Sequence, residues 1–281
     1  MRDATIAVVQ FHPLLGNVTE NLERMGKMIE QICHTQKVDL LVLPELATTG
    51  YENGVNFTDL AEQIPGYTTN YLGKLAGDYH VHIAFDMVVK HKVESVIYNS
   101  ALLLGPDGEP MGEYRKIHLK GEEKMAFRGG FKLPVFETDF GKVGLLIGWD
   151  LAFPEAARSL ALDGAEIIAV CANWEKPHVE EWRTYLIARA LENAVYIAGS
   201  NRIGDEYTYS FFGESMLIGP RGELYGQMPK GEPPEEGAEP QPPEAFTICK
   251  VDMDLIRKFR EELQLFQSRQ PTAYRSVVKP Y

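Results

Sequence analysis

The sequence, 281 residues long, predicts an α/β protein built from two related halves. Two observations carry this reading. Short apolar runs alternate with helical patterns along the whole chain. The pattern G-P-x-G-E-x-x-G-x-x-x-K then occurs twice, from Gly105 and from Gly219, each copy preceded by a strand-like run. A second echo pairs VDLLVLPE from Val38 with AEIIAVCAN from Ala165. The copies lie too far apart for a solenoid, so two similar halves with their sheets face to face are expected. The alternative is that strand-turn-strand chemistry selected the same turn residues twice.

The elements follow in order. Residues 4–10 form the first strand: the N-terminus MRDATIAVVQFHP has only a short apolar run, interrupted by Gln10 and His12, and does not read as a signal peptide. A helix carrying Leu22, Met25, Met28, Ile29 and Ile32 comes next, capped by Asn17 with Glu20 three residues on. Residues 38–43 are apolar apart from Asp39, as in a strand buried on both faces. Further strands are predicted at 82–89, 100–104, 142–147, 166–172, 195–200, 213–218 and 246–251, and helices at 69–79, 154–163, 178–193 and 254–267. Segment 228–244 holds six of the 17 prolines and five glutamates. It cannot bury enough apolar surface to fold alone, and is expected to be a mobile excursion within a single domain spanning 1–281. The tail 268–281 carries Tyr274, Val277, Val278 and Tyr281, and is expected to dock on a partner subunit.

Composition excludes several classes. With 44% apolar, 10% aromatic and 24% charged residues, the chain can bury a sizeable core. A net charge of −12 without a basic stripe argues against nucleic acid and anionic membranes. No apolar stretch approaches the roughly 18 residues of a membrane helix. Cys33, Cys171 and Cys249 are odd in number and widely spaced, which argues against a disulfide framework and for a cytoplasmic protein. His80 and His82 would place two imidazoles on one strand face, but no third metal ligand is evident. Asp150 and Asn173 alone fall short of a metal-dependent phosphoesterase, and no G-x-x-x-x-G-K-[ST] loop occurs. No metal and no cofactor is expected. Met125, Phe127, Phe131, Phe211 and Phe212 are read as core or pocket wall.

Three positions could carry chemistry, each near the end of a strand. Glu45 follows four apolar residues and a proline, where an ionisable side chain needs a task or a partner; a partnered structural glutamate and a general base fit equally. Lys116 in EYRKIHL has the solvated strand-end lysine as its plainer reading. In GLLIGWDLAFPEAAR a buried strand stops at Gly148 and a helix starts near Pro154, an elbow that opens to a pocket or is a simple turn.

Together these segments resemble the nitrilase superfamily of carbon–nitrogen hydrolases over almost the whole chain. LPELATTGY matches the family's glutamate motif, YRKIHL its lysine motif and GLLIGWDLAFPE its nucleophile motif, with EKMAFRGG, ANW at Ala172, WRTYLIARALENAVYIAGSNRIG and FGESMLIGPRG in family order. The resemblance implies a four-layer α-β-β-α sandwich with two pseudo-equivalent halves. It implies Glu45 as general base, Lys116 as the cation facing the tetrahedral oxyanion and Glu123 as a second glutamate positioning the substrate or the lysine. Tyr51, Trp149, Asn173 and Trp174 would line the pocket, the Trp149 N–H helping Lys116 hold the oxyanion. The implied reaction is hydrolysis of a small amide through a thioester, by an amidase-type branch; a nitrilase or an N-carbamoyl hydrolase is the alternative. The family also suggests a homodimer or larger assembly through the helices after Pro154 and His178.

The chain departs from the family where the motif expects cysteine: it has Gly148. The covalent step therefore lacks its nucleophile, and the chain is expected to be inactive or nearly so. Cys171, at the end of a neighbouring strand, is read as a structural thiol. An inactivated variant of an amidase is the favoured account of Gly148, and a natural pseudoenzyme that kept the pocket for binding is the alternative.

Overall fold

The computed structural model, which describes residues 2–91, 96–229 and 242–279, places two six-stranded sheets face to face. The first half runs β1 (Asp3–Gln10), α1 (Val18–Thr35), β2 (Leu40–Val42), the single turn α2 (Phe57–Leu60), α3 (Tyr67–Tyr79), β3 (His82–Lys90), β4 (Ile97–Leu104), β5 (Pro110–Arg115) and the short α4 (Glu123–Ala126). The second runs β6 (Val135–Glu137), β7 (Lys142–Ile147), α5 (Pro154–Leu162), β8 (Ile167–Ala172), α6 (Val179–Asn193), β9 (Tyr196–Asn201), a ribbon of β10 (Ile203–Asp205) and β11 (Ser210–Phe212), then β12 (Met216–Ile218) and β13 (Leu224–Gln227). The chain returns to the first sheet with β14 (Ala245–Asp252) and ends in α7 (Asp254–Leu263) and a 3₁₀ segment, Pro271–Val278.

The strand orders are β14-β1-β2-β3-β4-β5 and β6-β7-β8-β9-β12-β13, and the pairings match term by term. β1-β2-β3 and β7-β8-β9 are parallel, while the flanking pairs in both sheets are antiparallel. Even the irregularities correspond: the β4–β5 register shifts between Leu103 and Leu104, the β12–β13 register between Leu217 and Ile218. The repeated G-P-x-G-E is the turn of these two hairpins. Gly105 N donates to Glu109 O (2.9 Å) and Gly219 N to Glu223 O (2.8 Å). Gly108 (φ +85°) and Gly222 (φ +80°) take the left-handed conformation that explains the second glycine of each copy.

Alternation along the strands builds four layers. Ile6, Val8, Val42 and Leu103 face Leu145 and Ala169 between the sheets. Ala7, Val9, Leu41 and Ile83 turn outward onto Leu22, Met25 and Ile29 of α1 and Leu72 of α3. Leu160 of α5 and Trp182 and Leu186 of α6 cover the second sheet. Asn17 caps α1 as its sequence implied, its Oδ1 accepting from Glu20 N and its Nδ2 donating to Glu20 Oε2 at 2.8 Å.

The structure corrects the end of the last helix, the histidine pair and two of the five residues read as core or pocket wall. The final helix stops at Leu263 because Gln264 turns left-handed (φ +48°). His80 is an exposed C-cap of α3 outside the strand, while His82 is buried against the Phe140 ring, so the two imidazoles share no face. Met125, in α4, and Phe131, between α4 and β6, are exposed; Phe127, Phe211 and Phe212 are buried. Of segment 228–244, residues 230–241 lie outside the described residues; at its C-terminal end Pro243 O accepts from Gln10 Nε2 (2.8 Å) and Glu244 pairs with Arg24. Tyr281 also lies outside them, and Tyr274, Val277 and Val278 are exposed. Among the described residues no helix is long and apolar enough to cross a membrane, and no group of three or more His, Cys, Asp or Glu could hold a metal ion. The three cysteines are free.

Candidate active site

The site forms where parallel strands of both sheets end. Glu45 follows β2, Gly148 follows β7 and Asn173 follows β8. The two sheets are stitched at this point: Glu45 N donates to Ala172 O (3.3 Å), and Asn173 N donates to Glu45 Oε2 (3.2 Å).

Lys116 lies in the segment after β5, its ammonium between two carboxylates. Nζ donates to Glu45 Oε1 at 2.8 Å and to Glu123 Oε1 at 2.6 Å, all three side chains being at least 96% buried. Asn99 Nδ2 also donates to Glu45 Oε1 (2.8 Å), and Lys120 N to Glu123 Oε2 (2.9 Å). Burial pushes the Glu45 carboxyl up to about 7, against the pull of Lys116. Burial also works against the Lys116 ammonium, but Glu123 and Glu45 outweigh it and hold its pKa well above the usual value. The lysine therefore stays charged, and Glu45 exchanges its proton near neutrality, where a general base is most effective.

Gly148 closes β7 in a left-handed conformation (φ +41°) and opens a 3₁₀ turn, Gly148–Ala152. A Cβ built there would press on Glu45 Oε2 and stand 3.4 Å from Lys116 Nζ. Asp150 ties this elbow to the lysine segment: fully buried, it accepts from Ile147 N (3.1 Å), Tyr114 Oη (2.6 Å) and His118 N (3.0 Å). The open side is lined by Tyr51, Lys116, Lys120, Glu123, Gly148, Trp149, Asn173, Trp174 and Glu175 around a cavity of about 20 Å³. Lys120 and Glu175 form an ion pair across it at 2.6 Å. Glu206, paired with the buried Arg202, accepts from Tyr51 N (2.9 Å) and Glu52 N (2.7 Å) and so fixes the Tyr51 loop.

These geometries bring Glu45, Lys116, Glu123 and Gly148 together, and place Tyr51, Trp149, Asn173 and Trp174 in the lining of the same pocket. The carbon–nitrogen hydrolase family model matches residues 5–260. The chain belongs to the nitrilase superfamily of carbon–nitrogen hydrolases. A probable nitrilase of Schizosaccharomyces pombe is 36% identical, with 99% of each chain covered. The 2-oxoglutaramate amidase of Bacillus subtilis is 31% identical, covering 96% of this chain and 99% of that protein. The crystal structure of a carbon–nitrogen hydrolase from Helicobacter pylori superposes with a TM-score of 0.88 at 25% identity, 99% of each chain covered. The four-layer sandwich is the superfamily's fold.

Sequence reasoning missed several groups around this site. Asn99 and Asp86 are polar residues inside apolar strands, a signal available in the sequence. Asp86 is fully buried, accepts from Leu46 N (2.7 Å), and is pushed well above the usual carboxyl range by burial and by Glu45. Lys120 and Glu175 sit in polar loops that carry no such signal. Cys171 is wholly buried in β8, its thiol pushed up by burial, Asp86 and Glu45, which makes it a poor nucleophile.

Proposed function

We propose that the pocket binds a small amide, and that this chain does not carry the superfamily's thioester chemistry because Gly148 occupies the nucleophile position. One observation carries the reading: a buried ammonium, fixed by two buried carboxylates, faces an elbow that offers no side chain. With a thiol at 148, Glu45 would take its proton as it attacks the amide carbon, and Lys116 would face the oxyanion. Glu123 holds the lysine in place. Tyr51, Trp149, Asn173 and Trp174 suit a small amide, and the Bacillus relative is named an amidase; the Schizosaccharomyces relative is named a probable nitrilase, so a nitrile stays in the test below.

The test is ammonia release by Gly148→Cys over acetamide, propionamide, propionitrile and N-carbamoyl-β-alanine, with the chain as it stands alongside. The expected result is turnover on an amide at least about 10³-fold faster with the thiol. A side chain at φ +41° adds about 1–2 kcal/mol of strain, so native circular dichroism is checked first. A folded Gly148→Cys protein that turns over none of the panel would support a second reading, a natural binding protein. That reading draws on Glu45 Oε2 already leaning into the space a Cβ would take.

In our reading the protein is cytoplasmic and forms a homodimer or larger assembly through α5, α6 and the C-terminal segment. Leu162, Ile187, Leu191, Val277 and Val278 expose apolar surface there. Light scattering on the purified chain tests it, and a monomer would refute it.

A further inference from the structure

A spot beside Gly148 lies within reach of both Glu45 and Lys116. Since a Cβ there would press on Glu45 Oε2 and stand 3.4 Å from Lys116 Nζ, an atom displaced slightly toward the pocket comes within hydrogen-bond range of both. A third group faces the same pocket: Asn173, more than nine-tenths buried, has an Nδ2 with no partner among the described residues. The cavity of about 20 Å³ is the room that one water needs, and three polar groups are the partners an internal water takes.

We propose that this chain hydrolyses small amides directly, with a water beside Gly148 as the nucleophile, Glu45 as its base and Lys116 as the oxyanion's cation. The proposal rests on reading the pocket as an amide site. The amide enters past the part-exposed Lys120–Glu175 pair, the kind of contact that contributes little and parts readily. The water oxygen bonds to the amide carbon while the carbonyl π pair moves onto oxygen beside Lys116, and the released proton goes to Glu45. Collapse re-forms the carbonyl and breaks the C–N bond. The proton on Glu45 passes to the leaving nitrogen, which departs as ammonia; the acid keeps the water's other proton. No bond to the protein forms, and Glu45 ends as it began. Neither rival nucleophile serves: Cys171 is enclosed in β8, and the Lys116 ammonium is held between two carboxylates. A methyl group at position 148 would fill the water's place, so this route requires glycine.

The test measures ammonia release from acetamide and propionamide by the chain as it stands, Gly148→Ala, Glu45→Gln and Gly148→Cys. Circular dichroism confirms each fold, and intact mass is read after quenching. The expected result is slow release by the parent chain with no acyl adduct, at least tenfold slower release by Gly148→Ala and by Glu45→Gln, and an acyl adduct only with Gly148→Cys. Three results overturn the proposal: no release by the parent above buffer, an acyl adduct on the parent, or release by Gly148→Ala or Glu45→Gln at the parent's rate. Gly148→Cys separates the two levels of the argument. Turnover there with none in the parent leaves the amide pocket standing and removes the water route; turnover in neither removes both.

Discussion

Replacing Lys116 by methionine takes out a buried cation and leaves two buried carboxyls facing each other. At an effective dielectric of about 20, contacts of 2.8 and 2.6 Å each carry about 6 kcal/mol of gross attraction. Desolvating three ions offsets much of this, and breaking a buried pair by removing one partner leaves a net loss of about 3–5 kcal/mol. The loss depends on pH. The folded variant avoids two adjacent charges by retaining at least one proton, which its unfolded chain releases above about pH 4.3 and which the parent's Glu45 gives up near pH 7. A folded state that binds more protons than the unfolded chain loses stability as pH rises, by about 1.4 kcal/mol per unit and proton. Because the parent's own Glu45 keeps its proton up to about pH 7, Lys116→Met should therefore cost about 1.4 kcal/mol more at pH 8 than at pH 5.5. Urea unfolding followed by tryptophan fluorescence at the two pH values measures both. An equal loss at both, or less than about 1 kcal/mol at pH 8, would refute the assignment of Lys116 as the charge that balances Glu45 and Glu123.

Three further outcomes are expected. In Gly148→Cys, kcat/KM for the preferred amide should rise with pH through about 7 as Glu45 ionises; a profile flat from pH 5 to 8 would exclude Glu45 as the base. Asp86, its carboxyl raised well above the usual range chiefly by burial, makes stability fall as pH rises above the unfolded carboxylate pKa of about 4, by up to about 1.4 kcal/mol per unit. Asp86→Asn keeps the acceptor for Leu46 N and should remove that slope in urea titrations from pH 5 to 7, whereas Asp86→Ala strands the amide and should lose about 1–3 kcal/mol at any pH. Glu206→Gln leaves the buried Arg202 guanidinium without its counter-charge, and thermal unfolding should show a loss of about 3–5 kcal/mol; a shift under about 1 kcal/mol would mean that Arg202 is balanced by another group.

What the sequence determined on its own is local or repeated. Hydrophobic period gave most strands and helices, because each element buries one face or two. Turn chemistry gave the repeat, because the G-P-x-G-E hairpins need a left-handed glycine in both halves. Glu45 and Gly148 were legible because each follows an apolar run, and Lys116 because YRKIHL resembles the family's lysine motif. The edge strands β5, β6 and β13 were not: their residues are largely half-exposed and lack clean alternation, so only pairing with β4, β7 and β12 makes them strands. Tertiary structure alone decided that Asn99 and Asp86 stand by Glu45, that Asp150 locks the elbow to the lysine segment, and that Lys120 meets Glu175 across the pocket. These contacts join residues as much as 128 positions apart, as Asn173 N and Glu45 Oε2 show. They depend on which strand ends meet when two sheets close on a shared core, a property of packing that no local window of sequence contains.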